Sequence, residues 1–224
     1  MHDTEGSEYD RLFYPFLFEG GKASIEDVLA QVRHSTLEKC HEVIALRRAT
    51  LDHSGTLIVA AGEAMARAFA NDATLLAFGN GGSTTDAQDL VTELINPPFP
   101  TWSPLPAIAL TNDIAVITGV GNDVGIDNIY ARQVIAFGRP GDIALGISTS
   151  GNSTNVLLAL EQAKKQGLLT VGLVGYDGGK MMRSSVLDYC ILSPSDHIPR
   201  IQEAQATAYH ALIEVIYSIM NPAA

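Results

Sequence analysis

Hydrophobic residues follow two different periods along the chain. From residue 24 to about residue 70 they recur at helical spacing, in one stripe that includes Val28 and Val32 and a second that includes Leu57 and Met65. A polar stretch with a glycine, Asp52 to Gly55, separates the two stripes. We therefore predict two long helices that join around Asp52 to Gly55.

After Asn71, short apolar runs alternate with helical stretches, and the chain closes on an amphipathic pattern over residues 200–220. The apolar runs are Thr74–Phe78, Ala107–Leu110, Asp142–Ile147, Leu169–Val174 and Tyr189–Leu192. Such runs, each followed by a helical pattern, are typical of parallel strands buried on both faces. We predict an α/β fold with a doubly wound, flavodoxin-like parallel sheet of five strands and a helical extension at the N-terminal side.

A glycine-rich segment, Gly79 to Ser83, follows the first predicted strand, and a helical pattern starts at about Thr84. Glycine lets the backbone approach a ligand closely, and the N–H groups at a helix start favour an anion. A dinucleotide fingerprint would need glycine at Thr84, and no Walker A lysine follows. We therefore expect an anion-binding loop without a nucleotide cofactor, although glycine also serves tight turns for steric reasons alone.

A second polar loop, Ser148 to Ser153, follows the third predicted strand. It has four hydroxyl groups and an asparagine, and a helix is predicted to open near Asn155. Ligands of open α/β sheets bind at the carboxyl ends of the strands. Hydroxyl and backbone N–H groups at that edge indicate a phosphate site, and the alternative is a helix cap rich in serine and threonine.

Polar residues interrupt two of the predicted helices. Asp89 and Glu93 are four residues apart and share a helix face. Two carboxylates so close repel unless one is protonated or both meet a cation, which indicates proton transfer or metal binding. The alternative is a solvated acidic face. On the last helix, Gln202 and His210 are eight residues apart, so one ligand could contact both.

Composition narrows the class of protein. The chain has 224 residues with 46% hydrophobic content, enough for one sizeable α/β domain, and a net charge of -11 that disfavours nucleic-acid binding. Cys40 and Cys190 lie far apart, and we expect two buried thiols rather than a disulfide or a metal site. No signal peptide or membrane-spanning run is apparent, so we expect a cytoplasmic protein without membrane contact.

Five aromatic residues in the first 23 predict an arm that packs on its own domain or on a neighbouring subunit, with a substrate lid as the alternative.

Several segments resemble, in order and spacing, the phosphoheptose isomerases (sedoheptulose 7-phosphate isomerases) of the SIS superfamily. They include GNGGSTTDAQDLVTEL, GISTSGNSTNV and RIQEAQATAYH, and the resemblance covers roughly residues 25–220. It implies an SIS domain over residues 24–224 behind the arm of residues 1–23. It also implies an enzyme that converts sedoheptulose 7-phosphate to D-glycero-D-manno-heptose 7-phosphate, or acts on a closely related sugar phosphate, through an enediol.

The resemblance further implies a role for each polar residue. It implies that phosphate is held by Ser148, Thr149, Ser150 and Ser153, and that the sugar lies beside Asn80, Gly81, Ser83, Asp123 and Gln202. Glu93 and His210 would move protons between the first two sugar carbons. One divalent metal, zinc or a similar ion, would be held by Asp89, Glu93, Gln202 and His210. Family members are homotetramers, so the resemblance implies sites at subunit interfaces.

Three positions depart from the family pattern. Asp89 stands in place of the first zinc-site histidine, which favours harder ions than zinc. The family arginine shortly after the glutamate is missing, and Pro199 replaces the aspartate that usually precedes RIQE. These departures leave open a non-catalytic SIS module that senses a phosphosugar or scaffolds a protein partner. Another phosphosugar isomerase or an etherase also remains open.

Overall fold

The computed structural model describes residues 25–221, so the predicted aromatic arm of residues 1–23 lies outside the described residues. The chain divides into two compact units, Met1–His41 and Glu42–Ala224, and the second contains the α/β domain. Among the described residues, no helix combines the length and the apolar character needed to cross a membrane.

Helices and strands alternate after one long helix. The helices are α1 (Ile25–Phe69), α2 (Gly82–Ile95), α3 (Ile114–Asp123), α4 (Ile129–Phe137), α5 (Thr154–Lys165), α6 (Gly179–Arg183) and α7 (Ile198–Met220). A short 3-10 turn, Ile126–Asn128, precedes α4. The strands are β1 (Leu75–Gly79), β2 (Ala107–Ala109), β3 (Ile143–Ser148), β4 (Leu169–Val174) and β5 (Tyr189–Leu192).

The strands form one parallel five-stranded sheet in the order β2-β1-β3-β4-β5. In the centre, Leu75 of β1 is in register with Ile143 of β3, and Ile143 is in register with Leu169 of β4. The chain thus winds outward from β1 in one direction to β2 and in the other to β3, β4 and β5. The predicted doubly wound sheet of five strands is confirmed.

Side chains that alternate along the strands build one core on each face of the sheet. On β1, Leu75 and Ala77 belong to the core that includes residues of α1, α2 and α7. Leu76 and Phe78 belong to the opposite core, which includes residues of α4 and α5. This period of two, in strands that are buried throughout, explains the unbroken apolar runs in the sequence.

The prediction of two helices joined around Asp52 to Gly55 is wrong, because α1 runs through these residues without a break. Ser54 is completely buried there. Its hydroxyl accepts a hydrogen bond from the Leu192 N–H at 3.0 Å and donates one to the Leu192 carbonyl at 3.2 Å. The polar stretch is therefore a contact between the helix and the end of β5 rather than a turn.

The prediction of two buried thiols is also wrong in part. Both cysteines are free, as expected, but Cys40 is exposed and Cys190 is partly buried. Cys40 lies on a polar stretch of α1 that is exposed from Leu37 to His41, and so it has no apolar core to enter.

Candidate active site

The fold creates a crevice between the carboxyl ends of β1 and β3. These strands are neighbours, but the chain leaves them in opposite directions along the sheet. Ligands of open α/β sheets bind at such a switch point. The two polar loops predicted from the sequence follow these two strands, so the fold places both loops at the same edge.

The first loop is tight and leads directly into α2. Gly81 has a φ angle of 57°, in the left-handed region that favours glycine. A Cβ on Gly79 would lie 2.8 Å from the carbonyl oxygen of Ile147, so this glycine permits close approach of the ends of β1 and β3. The Ser83 N–H donates to the Asn80 carbonyl at 3.0 Å, and α2 begins at Gly82, two residues earlier than predicted.

The second loop is a compact turn at the start of α5. The hydroxyl oxygens of Ser148 and Ser153 lie 3.0 Å apart, and the Thr149 carbonyl accepts from the Gly175 N–H. Gly151 has a φ angle of 61°, and a Cβ there would lie 2.1 Å from the carbonyl oxygen of Gly178. Because α5 begins at Thr154, its N-terminal N–H groups adjoin the hydroxyl groups.

A pair of asparagine side chains joins the two loops. The Asn80 amide donates to Asn155 Oδ1 at 2.8 Å, and the Asn155 amide donates to Asn80 Oδ1 at 3.0 Å. The Tyr130 hydroxyl contacts Asn80 Oδ1 at 3.3 Å and donates to the Gly79 carbonyl. Sequence reasoning missed the contribution of Asn155 and Tyr130. The only signal was a polar residue at the apolar start of α5.

Three of the predicted polar residues form one cluster between α2 and α7. The ligand atoms of Asp89, Glu93 and His210 all lie within 4.8 Å of one another. His210 Nε2 is 3.1 Å from Glu93 Oε1 and 3.9 Å from Asp89 Oδ2. The side chains are 43% exposed for His210 and 30% for Glu93, so the cluster is accessible to a small molecule.

Tyr209 supports this cluster from within α7, and no pattern in the sequence had singled it out. It is buried, and its hydroxyl donates to Asp89 Oδ2 at 2.6 Å. Its ring packs edge-on against the imidazole of His210, with the centroids 4.6 Å apart. Burial, and then the hydrogen bond to Asp89, raise the pKa of Tyr209 well above its ordinary value. The hydroxyl therefore stays protonated and acts as a donor.

Asp86 lies one turn before Asp89 on α2. Burial, and secondly the charge of Asp89, raise the pKa of Asp86 from 3.8 to about 6. Its Oδ2 is buried and has no hydrogen-bond partner among the described residues. This carboxylate is therefore unfavourably placed for a negative charge.

Two other predicted residues, Gln202 and Asp123, lie on α7 and α3. Gln202 lies against the start of α2, where a Cβ on Gly82 would be 1.9 Å from its Nε2. It is eight residues from His210 along α7, about 12 Å along the helix axis. Asp123 is exposed at the end of α3, and its carboxylate accepts from the Asn122 amide.

Comparison with known proteins identifies a domain family and several similar sequences. The sequence profile of the SIS domain matches residues 40–175. A phosphoheptose isomerase of Geotalea daltonii is 46% identical over 159 residues, which are 71% of this chain and 82% of that protein. One of Solidesulfovibrio magneticus is 43% identical over 175 residues, 78% of this chain and 84% of that protein.

Solved structures agree with the sequence relatives. The phosphoheptose isomerase of Neisseria gonorrhoeae superimposes with a TM-score of 0.77 at 35% identity, over 84% of this chain and 99% of that one. These relatives do not favour the alternative of a non-catalytic binding module. The chain belongs to the phosphoheptose isomerase family of SIS-domain proteins.

Proposed function

We propose that this protein is an aldose–ketose isomerase that converts sedoheptulose 7-phosphate to D-glycero-D-manno-heptose 7-phosphate. The observation that carries this proposal is the Glu93–His210 pair, a carboxylate and an imidazole 3.1 Å apart. The pair belongs to a protein whose phosphoheptose isomerase relatives are similar over most of their length. A carboxylate and an imidazole are suitable groups for general base and general acid.

The phosphate group of the substrate would bind at the second loop. Ser148, Thr149, Ser150 and Ser153 offer hydroxyl groups, and α5 offers backbone N–H groups at its N-terminus. Asn80, Gly81 and Ser83 of the first loop lie across the crevice and would contact the sugar. The Asn80–Asn155 pair supports this division, because it joins the two loops that would share one ligand.

The reaction requires one proton to leave the first sugar carbon and one to arrive at the second. In the ketose-to-aldose direction, Glu93 would remove a proton from the first carbon while His210 donates a proton to the carbonyl oxygen on the second. The product of this step is an enediol. A proton then returns to the second carbon and the hydroxyl proton on the first oxygen leaves, which gives the aldose. The contact between His210 Nε2 and Glu93 Oε1 would let the pair share protons between the two half-reactions.

The cluster also fits a divalent cation. Two carboxylates and an imidazole whose ligand atoms lie within 4.8 Å suit such an ion, and Asp89, Glu93 and His210 would hold it. Gln202 remains a further candidate ligand from the resemblance. When bound, the cation would polarise the sugar carbonyl and hydroxyl oxygens.

The protein would act as a homotetramer in the cytoplasm, with sites at subunit interfaces. Apolar side chains stay exposed on α1 and α7 of the second unit, which supports assembly with further copies. They include Leu51, Val59 and Ile219. They line a groove with Gly55, Ala211 and Val215, called here the α1/α7 face. A small sugar phosphate is the expected partner, because the two polar loops offer hydroxyl, amide and backbone N–H groups.

The test is an NMR assay with sedoheptulose 7-phosphate in deuterated water. We expect wild-type protein to give aldose signals with deuterium at the second carbon. Glu93→Gln and His210→Gln should each lower turnover by about 100-fold or more. Binding of the phosphosugar, measured by thermal shift, should persist in both variants, because the second loop is unchanged.

Matched controls remove the same groups elsewhere. Glu161 lies on α5, and His34 lies on an exposed part of α1. The variants Glu161→Gln and His34→Gln should both keep wild-type turnover. Turnover within about tenfold of wild type in both Glu93→Gln and His210→Gln would refute the assignment of these residues. Absence of exchange in the wild type, with or without added metal, would refute the proposed substrate.

A further inference from the structure

Within the Asp89–Glu93–His210 cluster, the two carboxylates have different surroundings. Glu93 Oε1 lies 3.1 Å from the imidazole Nε2 of His210. Asp89 Oδ2 accepts from Tyr209 at 2.6 Å and lies 3.9 Å from His210 Nε2. The same oxygen of Asp89 therefore adjoins the Tyr209 hydroxyl and the potential ligand atom of His210.

Tyr209 contacts two of the three ligand residues at once. Its hydroxyl holds Asp89, and its ring packs against the His210 imidazole. It is itself only 2% exposed, so its position is set by packing in the core between α7, α2 and the sheet. A buried donor of this kind fixes the rotamer of an otherwise exposed aspartate.

The exposed aspartate needs such support. The Asp89 side chain is 53% exposed, and short carboxylates on a helix surface sample several rotamers. Hydrogen bonds from outer residues commonly orient ligating carboxylates, and their loss typically weakens metal binding by about 10- to 100-fold. Oxygen ligands also suit manganese better than they suit zinc.

We propose that Tyr209 is a positioning residue that holds Asp89 as an oxygen ligand beside Glu93 and His210, and thereby gives the cluster affinity for a Mn²⁺-like cation. This inference rests on the proposed function of the cluster, and it deepens that function by naming the residue that positions the Asp89 ligand. Tyr209 acts through Asp89, which accepts from its hydroxyl, and through His210, which packs against its ring.

The experiment measures Mn²⁺ binding to the purified, EDTA-treated and dialysed full chain by electron paramagnetic resonance. Free Mn²⁺ is counted from its six-line signal, and bound Mn²⁺ is examined for its zero-field splitting. Tyr209→Phe keeps the ring against His210 and removes only the hydroxyl. We expect it to weaken Mn²⁺ binding by about 10- to 100-fold and to alter the spectrum of the bound ion.

Tyr217→Phe is the matched control. It removes another tyrosine hydroxyl from α7, one that donates to the Ser103 carbonyl at 2.8 Å, two turns beyond Tyr209. We expect its Mn²⁺ affinity and spectrum to match the wild type. Thermal unfolding of both metal-free variants tests whether any difference in affinity merely follows a loss of stability.

The outcomes separate this inference from the proposed function. Mn²⁺ affinity of Tyr209→Phe within about twofold of wild type, or equal losses in both variants, would overturn the role of Tyr209. Wild-type protein that binds no Mn²⁺ would overturn it too. In that case, turnover of sedoheptulose 7-phosphate by the same preparation would leave the isomerase proposal standing. Mn²⁺ binding that depends on Tyr209 without turnover would support the inference and refute the substrate.

Discussion

At the scale of single residues, Asp86 of α2 is a carboxylate in an environment that disfavours its charged form. Its pKa is raised to about 6 by burial and by the charge of Asp89, and its Oδ2 has no partner among the described residues. A buried acceptor without a partner costs free energy in the folded state, and a charge there costs more. This carboxylate should therefore lower the stability of the protein at neutral pH.

We expect Asp86→Asn to stabilise the protein against urea at pH 7.5. Because the folded-state pKa lies above the unfolded value of 3.8, the wild type loses stability as the pH rises through about 6. A shift of this size would correspond to about 3 kcal/mol for a fully buried group, and we expect roughly 1 kcal/mol because Asp86 is partly exposed. Urea unfolding in EDTA across this pH range measures the difference.

The pH dependence decides this prediction. The difference in unfolding free energy between Asp86→Asn and the wild type should reach its full value above pH 6. It should shrink as the pH falls and vanish below pH 3.8. A difference between the two proteins that stays constant from pH 4 to pH 8 would contradict an electrostatic cause.

Residues that act through distant partners were beyond prediction from the sequence. The Asp89–Glu93 spacing indicates a shared helix face, and the three-residue cluster forms as that spacing suggests. Tyr209, in contrast, looks like any apolar helix residue until α2 and α7 are packed together. The role of Asn155 likewise depends on its hydrogen bond with Asn80, which lies 75 residues earlier in the chain. Local spacing cannot reveal such contacts, because the fold brings these residues together.

At the scale of elements, α1 shows how a tertiary contact overrides a local signal. Asp52 to Gly55 has the composition of a turn, and Gly55 lowers helix propensity by about 1 kcal/mol. Burial of Ile58, Met65 and Phe69 in the core, together with the two Ser54 hydrogen bonds to Leu192, keeps the helix continuous. The strand bounds were predicted to within one residue because the strands coincide with short apolar runs.

The second loop offers a prediction at this scale. In Gly151→Ala, a new Cβ would lie 2.1 Å from the Gly178 carbonyl oxygen, at a φ angle of 61°. The loop must move away from the residues before α6, and the hydroxyl groups lose their arrangement. We expect binding of sedoheptulose 7-phosphate, measured by calorimetry, to weaken by about tenfold or more. The steric clash should lower the free energy of unfolding by about 1–3 kcal/mol, in addition to the cost of backbone strain at this φ angle.

Gly141→Ala provides the control for this strain. Gly141 has a φ angle of 93°, but nothing lies within 4 Å of a Cβ there. The Gly141→Ala variant should lose about 1–2 kcal/mol of unfolding free energy and keep its binding of the phosphosugar unchanged. Equal binding losses in both variants would show that the close approach at Gly151 is unimportant.

At the scale of the whole molecule, the sheet order and the site location follow from one topological fact. Because the chain winds in both directions from β1, the loops after β1 and β3 face one crevice. This arrangement was predictable from the alternating pattern and the resemblance together. How copies of the chain assemble was not predictable from the pattern, because exposed apolar residues on a helix do not identify what covers them.

The proposed assembly gives a prediction on the α1/α7 face. Leu51 is 64% exposed there, and it would be buried if another copy covers the face. Leu51→Glu would then bury a charge without a partner, which costs several kcal/mol. We expect light scattering with size exclusion to show a tetramer for the wild type and smaller species for Leu51→Glu.

Ile135→Glu tests whether any new charge would have this effect. Ile135 is also an exposed apolar residue, but it lies on α4, away from the α1/α7 face. This variant should keep the wild-type mass. A wild-type monomer would refute the tetramer, and a tetrameric Leu51→Glu would place the interface on another surface.

The exposed thiol on α1 makes this protein easy to label at a single place. Cys40 and Cys190 are the two cysteines of the chain, and burial raises the pKa of Cys190 to about 11, so that its unreactive protonated form prevails at neutral pH. A maleimide dye should therefore attach at Cys40. Mixing donor-labelled and acceptor-labelled samples would then report subunit exchange by energy transfer, in the natural sequence and without an introduced cysteine.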